Sequence, residues 1–317
     1  MQDSVIHDLI QFEKRSWAMK VYAAPRWGNQ TPCPLRFVVN PYLGCSHKCQ
    51  YCYVPDHVQV RQGFRKSLLH DIKRAKAFGL KPYVVEVSAS TDPFQPIEKK
   101  YGDSLFAITE LLNAGFPVVV VTKNPGMLLE PSYIELAHNS QLSVDVTIAS
   151  LHEGEPDSIF TGIAPSAKDK IQAIRRLTQI NQNIRVKIDP LIPSVNGIIG
   201  QSEAELWELV RTLSEAGVRL VISKTLRLND EVSANLYNNL IDFYKTYGII
   251  EGINWCLSKP LQRKLLAPLF EACKYYKMPF CSCCDVGIFP SNEIVSCLVP
   301  GEDEAPIMEH RSSFQED

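Results

Sequence analysis

Six short apolar runs alternate with helical patterns between Arg36 and Leu228, and this alternation limits the chain to few folds. The runs are Phe37–Asn40, Tyr83–Val87, Pro117–Val121, Ser143–Ile148, Ile184–Ile188 and Arg219–Ile222. Helical periodicity falls near residues 64–79, 102–114, 130–138, 167–180 and 202–216. Ser202 with Glu205 three residues on marks one helix start, and Gly79, Gly115 and Gly217 mark ends. Val118-Val119-Val120-Val121 is apolar on both faces, as a buried parallel strand must be. Repeated β-then-α units build a parallel sheet covered by helices. Six strands are too few to close an eight-stranded barrel.

Each run ends in polar residues. The first leads to Cys45, the second to Ser88-Ala89-Ser90-Thr91-Asp92, and the third to Thr122-Lys123-Asn124. Ser150 and His152 follow the fourth, Asp189-Pro190 ends the fifth, and Ser223-Lys224-Thr225 ends the sixth. In parallel barrels chemistry sits at the C-terminal ends of the strands. Six separate segments thus converge on one rim.

At the first of these ends, Cys45, Cys49 and Cys52 lie in a C-x3-C-x2-C spacing within one loop. Three thiolates this close suit an iron–sulfur cluster, which is ordinarily held by four. A 4Fe-4S cluster held by three would keep one iron open to an outside ligand, as a catalytic zinc site keeps a position open for substrate. Two other readings stay open. One is structural zinc, with His47 or a distant cysteine as fourth ligand; the other is disulfide or core cysteines.

The segment Asn40-Pro41-Tyr42-x-Gly44-Cys45-x3-Cys49-x-Tyr51-Cys52-Tyr53 resembles the cluster loop of the radical S-adenosylmethionine (radical SAM) superfamily, and within it the spore photoproduct lyase-like branch. The resemblance extends over residues 36–228 and implies an α/β fold, a partial (β/α)6 TIM-like barrel with parallel strands. It implies a 4Fe-4S cluster on Cys45, Cys49 and Cys52 and S-adenosyl-L-methionine as cofactor. The cluster would cleave that cofactor reductively, and the resulting 5′-deoxyadenosyl radical would abstract hydrogen from substrate. A one-electron reductant such as flavodoxin or ferredoxin is then an expected partner. By position after each strand, Ser90 and Thr91 match the family's site for the methionyl amine. Lys123 suits the carboxylate, because its ammonium is a compact cation. Ser150 matches a cofactor-contacting serine of the lyase branch, and Asp189 belongs to a weaker branch signature, Ile188-Asp189-Pro190-Leu191-Ile192-Pro193. Thr91-Asp92-Pro93-Phe94-Gln95-Pro96-Ile97-Glu98 resembles a stronger one. Tyr51 and Tyr53 match tyrosines that serve radical transfer or cofactor contact in the lyases; simple packing around the cluster is the competing reading.

One departure matters. The lyases carry a hydrogen-returning cysteine just after the second strand, where this chain reads Val87-Ser88-Ala89-Ser90-Thr91-Asp92 with no thiol. Thymine-dimer reversal by that route is not expected. The substrate class stays open among nucleic acid, peptide and small molecule. Arg61, Arg65, Lys66, His70, Lys73, Arg74, Lys76 and Lys81 could face a phosphate backbone or form a solvated helix face. His47 reads as a loop residue and His152 as a pocket wall.

The flanks are expected to be appendages. Residues 1–34 form an N-terminal helical extension, periodic over residues 3–20 through Val5, Leu9, Ile10, Phe12, Trp17 and Met19, and a Pro-rich connector carrying Cys33. Residues 35–228 form the core and residues 229–299 a helical, Cys-rich C-terminal extension; residues 300–317 are expected to be disordered. Cys273, Cys281, Cys283, Cys284 and Cys297, with Cys256 in reserve, suggest a second iron–sulfur cluster or Zn, with buried free cysteines as the alternative. The ten cysteines point to metal or redox chemistry in a cytoplasmic chain. No apolar run nears the ~20 residues of a membrane span, and Met1-Gln2-Asp3-Ser4 lacks a signal-peptide layout. A net charge of −2 excludes a globally basic nucleic-acid footprint. The competing function is a cluster- or zinc-bearing nucleic-acid-binding protein without radical chemistry.

Overall fold

The computed structural model describes residues 9, 11–22, 36–80, 82–283, 285, 287–295 and 297. The Pro-rich connector, the expected tail, Cys33, Lys81 and Cys284 lie outside them.

One eight-stranded sheet carries the fold, its strands lying side by side in chain order. They are β1 (Met19–Tyr22), β2 (Arg36–Val39), β3 (Val85–Val87), β4 (Val118–Thr122), β5 (Leu142–Thr147), β6 (Ile184–Leu191), β7 (Val221–Thr225) and β8 (Phe280–Cys281). Strands β2 to β7 are mutually parallel and coincide with the six apolar runs. The architecture is a partial TIM-like barrel.

Two strands of this sheet were not anticipated. Among the described residues of the 3–20 stretch, Leu9 and residues 11–15 are helical, whereas Met19–Tyr22 pairs antiparallel with β2. At the other edge Phe280–Cys281 pairs parallel with β7. Edge strands this short carry little periodicity of their own; pairing to an exposed sheet edge decides them. The helix expected over residues 130–138 contracts to Ile134–Ala137, preceded by a 3-10 turn at Pro125–Leu129.

The major helices are α1 (Phe64–Ala77), α2 (Asp103–Asn113), α3 (Ala167–Leu177), α4 (Glu203–Glu215), α5 (Ala234–Tyr247) and α6 (Lys259–Tyr275). Ser166 caps α3 by accepting from the Asp169 N–H, and Ser202 with Glu205 forms a capping box on α4. Helix α6 packs on α4 and β7, so Leu266, Leu269, Phe270, Cys273 and Phe280 share the main core.

Strand alternation sorts the two faces of the sheet. Val85, Val87, Val118, Val120, Val144, Val146, Ile184, Val186 and Ile188 enter the helix-covered core. The intervening residues turn to the other, concave face, and several are charged. Arg36 pairs with Glu86 at 3.1 Å, and Arg185 with Asp145 at 2.6 Å, side by side on neighbouring or near-neighbouring strands. Lys187 stands 3.9 Å from Asp145. The Val-Glu-Val and Ile-Arg-Val-Lys-Ile alternations were the sequence signal for this charged lumen. Buried charges persist only when paired, and these are paired across neighbouring strands beside the apolar Val84, Val119, Leu220 and Ile222 of the same face.

Candidate active site

The cluster loop leaves β2 at the C-terminal rim and is clamped from below. Cys45 N–H donates to the Pro55 carbonyl at 2.9 Å, and Cys52 N–H to the Cys49 carbonyl at 3.1 Å. Gly44 holds φ +74, and a Cβ there would stand 2.1 Å from the His57 carbonyl oxygen. The loop therefore closes on a position that only glycine fills. Alanine at Gly44 should cost about 1–3 kcal/mol and lower the iron retained per chain, read by urea unfolding and iron assay; unchanged iron content would show that loop closure is not needed to present the thiols.

The branch signature after β3 is the clamp. Gln95 accepts from Ser46 N–H at 3.0 Å and donates to the Gly44 carbonyl at 3.3 Å, so its amide bridges the cluster loop to its own. Asp92, fully buried, accepts from Thr122 Oγ1 at 2.9 Å, Lys123 N–H at 2.6 Å and Phe94 N–H at 2.8 Å, and lies 3.3 Å from His47 Nε2. Glu98 accepts from the Tyr42 and Tyr133 hydroxyls and from Ser104 and Leu105 N–H. Its carboxylate thereby also satisfies the first turn of α2, where a negative charge is favoured. Glu98→Ala would strand these donors and should cost about 3–5 kcal/mol, measured as a drop in urea midpoint; a change within error would remove Glu98 from the clamp.

The three thiols share one neighbourhood. Burial first, then the Asp92 carboxylate, pushes the Cys45 thiol up to about 12, with Cys49 and Cys52 adding to the rise. Burial likewise raises Cys52, against the Val54 N–H that reaches its sulfur at 3.5 Å. Three would-be thiolates repel one another here, and a cationic iron–sulfur core is what would relieve them. Among the described residues, no three His, Cys, Asp or Glu side chains are grouped to hold a single metal ion. A cube seats its three cysteines on three separate irons, so it asks for a wider triangle than zinc does. The donor set fits the cluster that the sequence implied.

Around the thiols stand the other predicted residues. Thr91 has a buried Oγ1 with no hydrogen-bond partner, as does Ser88, which the sequence reading passed over. Ser88 also holds φ +65, rare for a side chain other than glycine. Orphaned hydroxyls at the end of β3 fit a ligand not drawn from the protein. Ser90 is exposed on the same turn. Tyr51 is buried against Phe160, with the Lys123 ammonium 5.3 Å from its ring centre. Tyr53 stays 44% exposed, and burial of its hydroxyl raises its pKa against the opposing pull of the Lys224 charge. Asp189 meets Lys224 at 3.4 Å. Ser150 is buried and donates to Glu205, so its hydroxyl is already engaged. His152 is exposed and bonded to Glu155 at 2.9 Å, which raises its pKa.

Lys123 does not stand alone. Its ammonium meets Glu153 at 2.9 Å, and Lys170 from α3 meets the other oxygen of the same carboxylate. Glu153 and Lys170, absent from the sequence reading, line a cleft too narrow for a water molecule, together with Lys123, Cys49, Phe160 and Gly162. No short motif marks them; the packing of α3 under the rim brings them in.

The C-terminal cysteines divide. Cys281, Cys283 and Cys297 share an inner cluster with Leu220 and Ile222. Cys273 is buried in the main core, and Cys256 is buried within the second strand of the Gly248–Glu251/Asn254–Leu257 hairpin. In the basic segment, Arg61 stacks on Trp17, Arg65 pairs with Asp103 at 2.7 Å and Arg74 covers Phe12, so these three cations serve packing.

A spore photoproduct lyase carrying bound S-adenosylmethionine and dinucleoside spore photoproduct superposes with a TM-score of 0.56 at 15% identity, covering 76% of this chain and 74% of that one. This chain shares the fold of spore photoproduct lyase. Streptococcus suis SuiB bound to its precursor peptide SuiA superposes with a TM-score of 0.52 at 15% identity, over 77% of this chain and 47% of SuiB. No family model matches the sequence. An uncharacterised Mycobacterium tuberculosis protein is 27% identical over 210 residues, 60% of this chain and 58% of its own length. An uncharacterised protein of Acidianus two-tailed virus is 24% identical over 213 residues, 60% of this chain and 67% of that one. The chain thus spans little more than half of the mycobacterial relative it matches. None of the described helices is long and apolar enough to cross a membrane.

Proposed function

We propose that this chain is a radical SAM enzyme. The observation that carries the reading is a three-thiol loop, glycine-closed and clamped by Asp92 and Gln95, set beside orphaned buried hydroxyls and an excess of buried positive charge. Cys45, Cys49 and Cys52 would hold a 4Fe-4S cluster, which when bound supplies one electron to break the sulfonium of S-adenosylmethionine. The chain's own groups do the rest. Ser88 and Thr91 offer hydroxyls to the amine end of the cofactor, Lys123 offers its ammonium to the carboxylate, and Tyr51 and Phe160 wall the site from water. Ser150, held by Glu205, acts as a support of the rim rather than as a free donor. Asp189 and Lys224 border the opening toward the lumen beside Tyr53.

The fold does not select the substrate: its neighbours take a dinucleoside photoproduct in one case and a peptide in the other. Anaerobic reconstitution should load about four irons per cluster, and reductant with S-adenosylmethionine should release 5′-deoxyadenosine. A loaded cluster with no 5′-deoxyadenosine under a low-potential reductant would refute the enzyme reading.

A further inference from the structure

The Lys123–Glu153–Lys170 group holds two cations against one anion, all removed from water. Lys170 is fully covered, Glu153 is 3% exposed and Lys123 is 12% exposed at the side chain. Glu153 is saturated: one oxygen accepts from Lys123 and from Ala149 N–H at 3.0 Å, and the other accepts from Lys170. Lys170 spends a further proton on the Thr147 carbonyl at 3.1 Å and reaches no open surface. All three line the narrow cleft beside Cys49, and of the three Lys123 is the one that stands over the Tyr51 ring. A buried surplus charge is costly unless an anion completes it.

We propose that Lys170 is a positioning residue that sets the charge of the ligand pocket: by neutralising Glu153 from behind, it leaves the Lys123 ammonium an unbalanced cation that selects a ligand bearing a carboxylate. This rests on the radical SAM reading, in which that ligand is S-adenosylmethionine. Without Lys170, Glu153 would pair one-to-one with Lys123 and the pocket would be neutral toward a carboxylate. The lowered pKa of Lys170, caused by burial and then by the Lys123 charge, accords with two crowded cations.

The test is titration calorimetry of the anaerobically reconstituted full chain with S-adenosylmethionine and with its decarboxylated analogue. The wild type should prefer the carboxylate-bearing ligand about tenfold or more, the scale of a charge-assisted hydrogen bond. Lys170→Met should bring the two affinities within about twofold of each other, by weakening S-adenosylmethionine and not the analogue. Lys170→Arg should keep the preference. The double variant Lys170→Met with Glu153→Gln removes one charge of each sign, restores the surplus on Lys123, and should regain the preference. A purely structural role for Lys170 would give no such rescue. Retained preference in Lys170→Met, or no rescue in the double variant, overturns the proposal. Should Lys170→Met not be recovered folded, the double variant decides alone: preference kept supports the proposal, preference lost overturns it. A wild type that binds both ligands equally sinks the proposal by itself, whereas a wild type that binds neither sinks the radical SAM reading with it.

Discussion

Alanine at Cys45, Cys49 and Cys52 together should reduce reconstituted iron at this loop to background and abolish release of 5′-deoxyadenosine. The thiolates are the anions that a cationic cluster core needs, and alanine offers no ligand atom. The fold should survive the change. The cysteines lie in a loop whose closure depends on backbone bonds from Cys45 and Cys52 N–H and on the Gln95 amide, none of which needs a thiol. Replacing three half-buried loop thiols should leave the urea midpoint of the apo chain nearly unchanged. The measurement is iron content and visible absorbance beside far-ultraviolet circular dichroism. Full iron content in the triple variant would place the cluster elsewhere, with Cys281, Cys283 and Cys297 as the next thiols to replace.

Asp92→Ala should be the most destabilising single change at the rim, by about 3–5 kcal/mol of a total that is about 5–15 kcal/mol in proteins generally. Four groups converge on this carboxylate from three segments: His47 in the cluster loop, Phe94 in the clamp, and Thr122 and Lys123 at the end of β4. Alanine leaves them buried and unpaired. Burial alone would raise the Asp92 carboxyl, but the bond and charge of His47, with the Lys123 and Phe94 N–H groups, outweigh it and hold it below the usual aspartate range. The unfolded chain therefore takes up this proton first as pH falls. The stabilisation is complete above about pH 4, the unfolded aspartate value, and is lost as pH drops through the lower native value. Wild-type stability should thus decline in acid more steeply than that of Asp92→Asn. Parallel acid profiles for the two proteins in urea unfolding would remove Asp92 from this role.

The six parallel strands and the cysteine loop were legible because each is written locally. A buried parallel strand must be apolar on both faces or alternate against a lined lumen, and glycines stop the helices between. The branch signature was legible as a string and not as a mechanism. As part of the signature Asp92, Gln95 and Glu98 carried no role of their own, yet they bond Ser46, Gly44, Thr122, Tyr42 and Tyr133, across up to 56 residues of chain. Ser150 was placed correctly at its strand end, but its partner Glu205 lies 55 residues on.

By itself the sequence determined the βα order, the rim on which polar groups gather, and the three thiols with their glycine, since spacing along one loop and period along one strand need no distant partner. Only the tertiary structure decided which polar groups are spent on each other and which remain for a ligand. That division depends on burial and on contacts between segments far apart in the chain: Glu153 with Lys123 and Lys170, Asp92 with His47, the bare hydroxyls of Ser88 and Thr91. A polar side chain near a rim is indistinguishable from its neighbours until the fold has shown which of them water and protein have left unanswered.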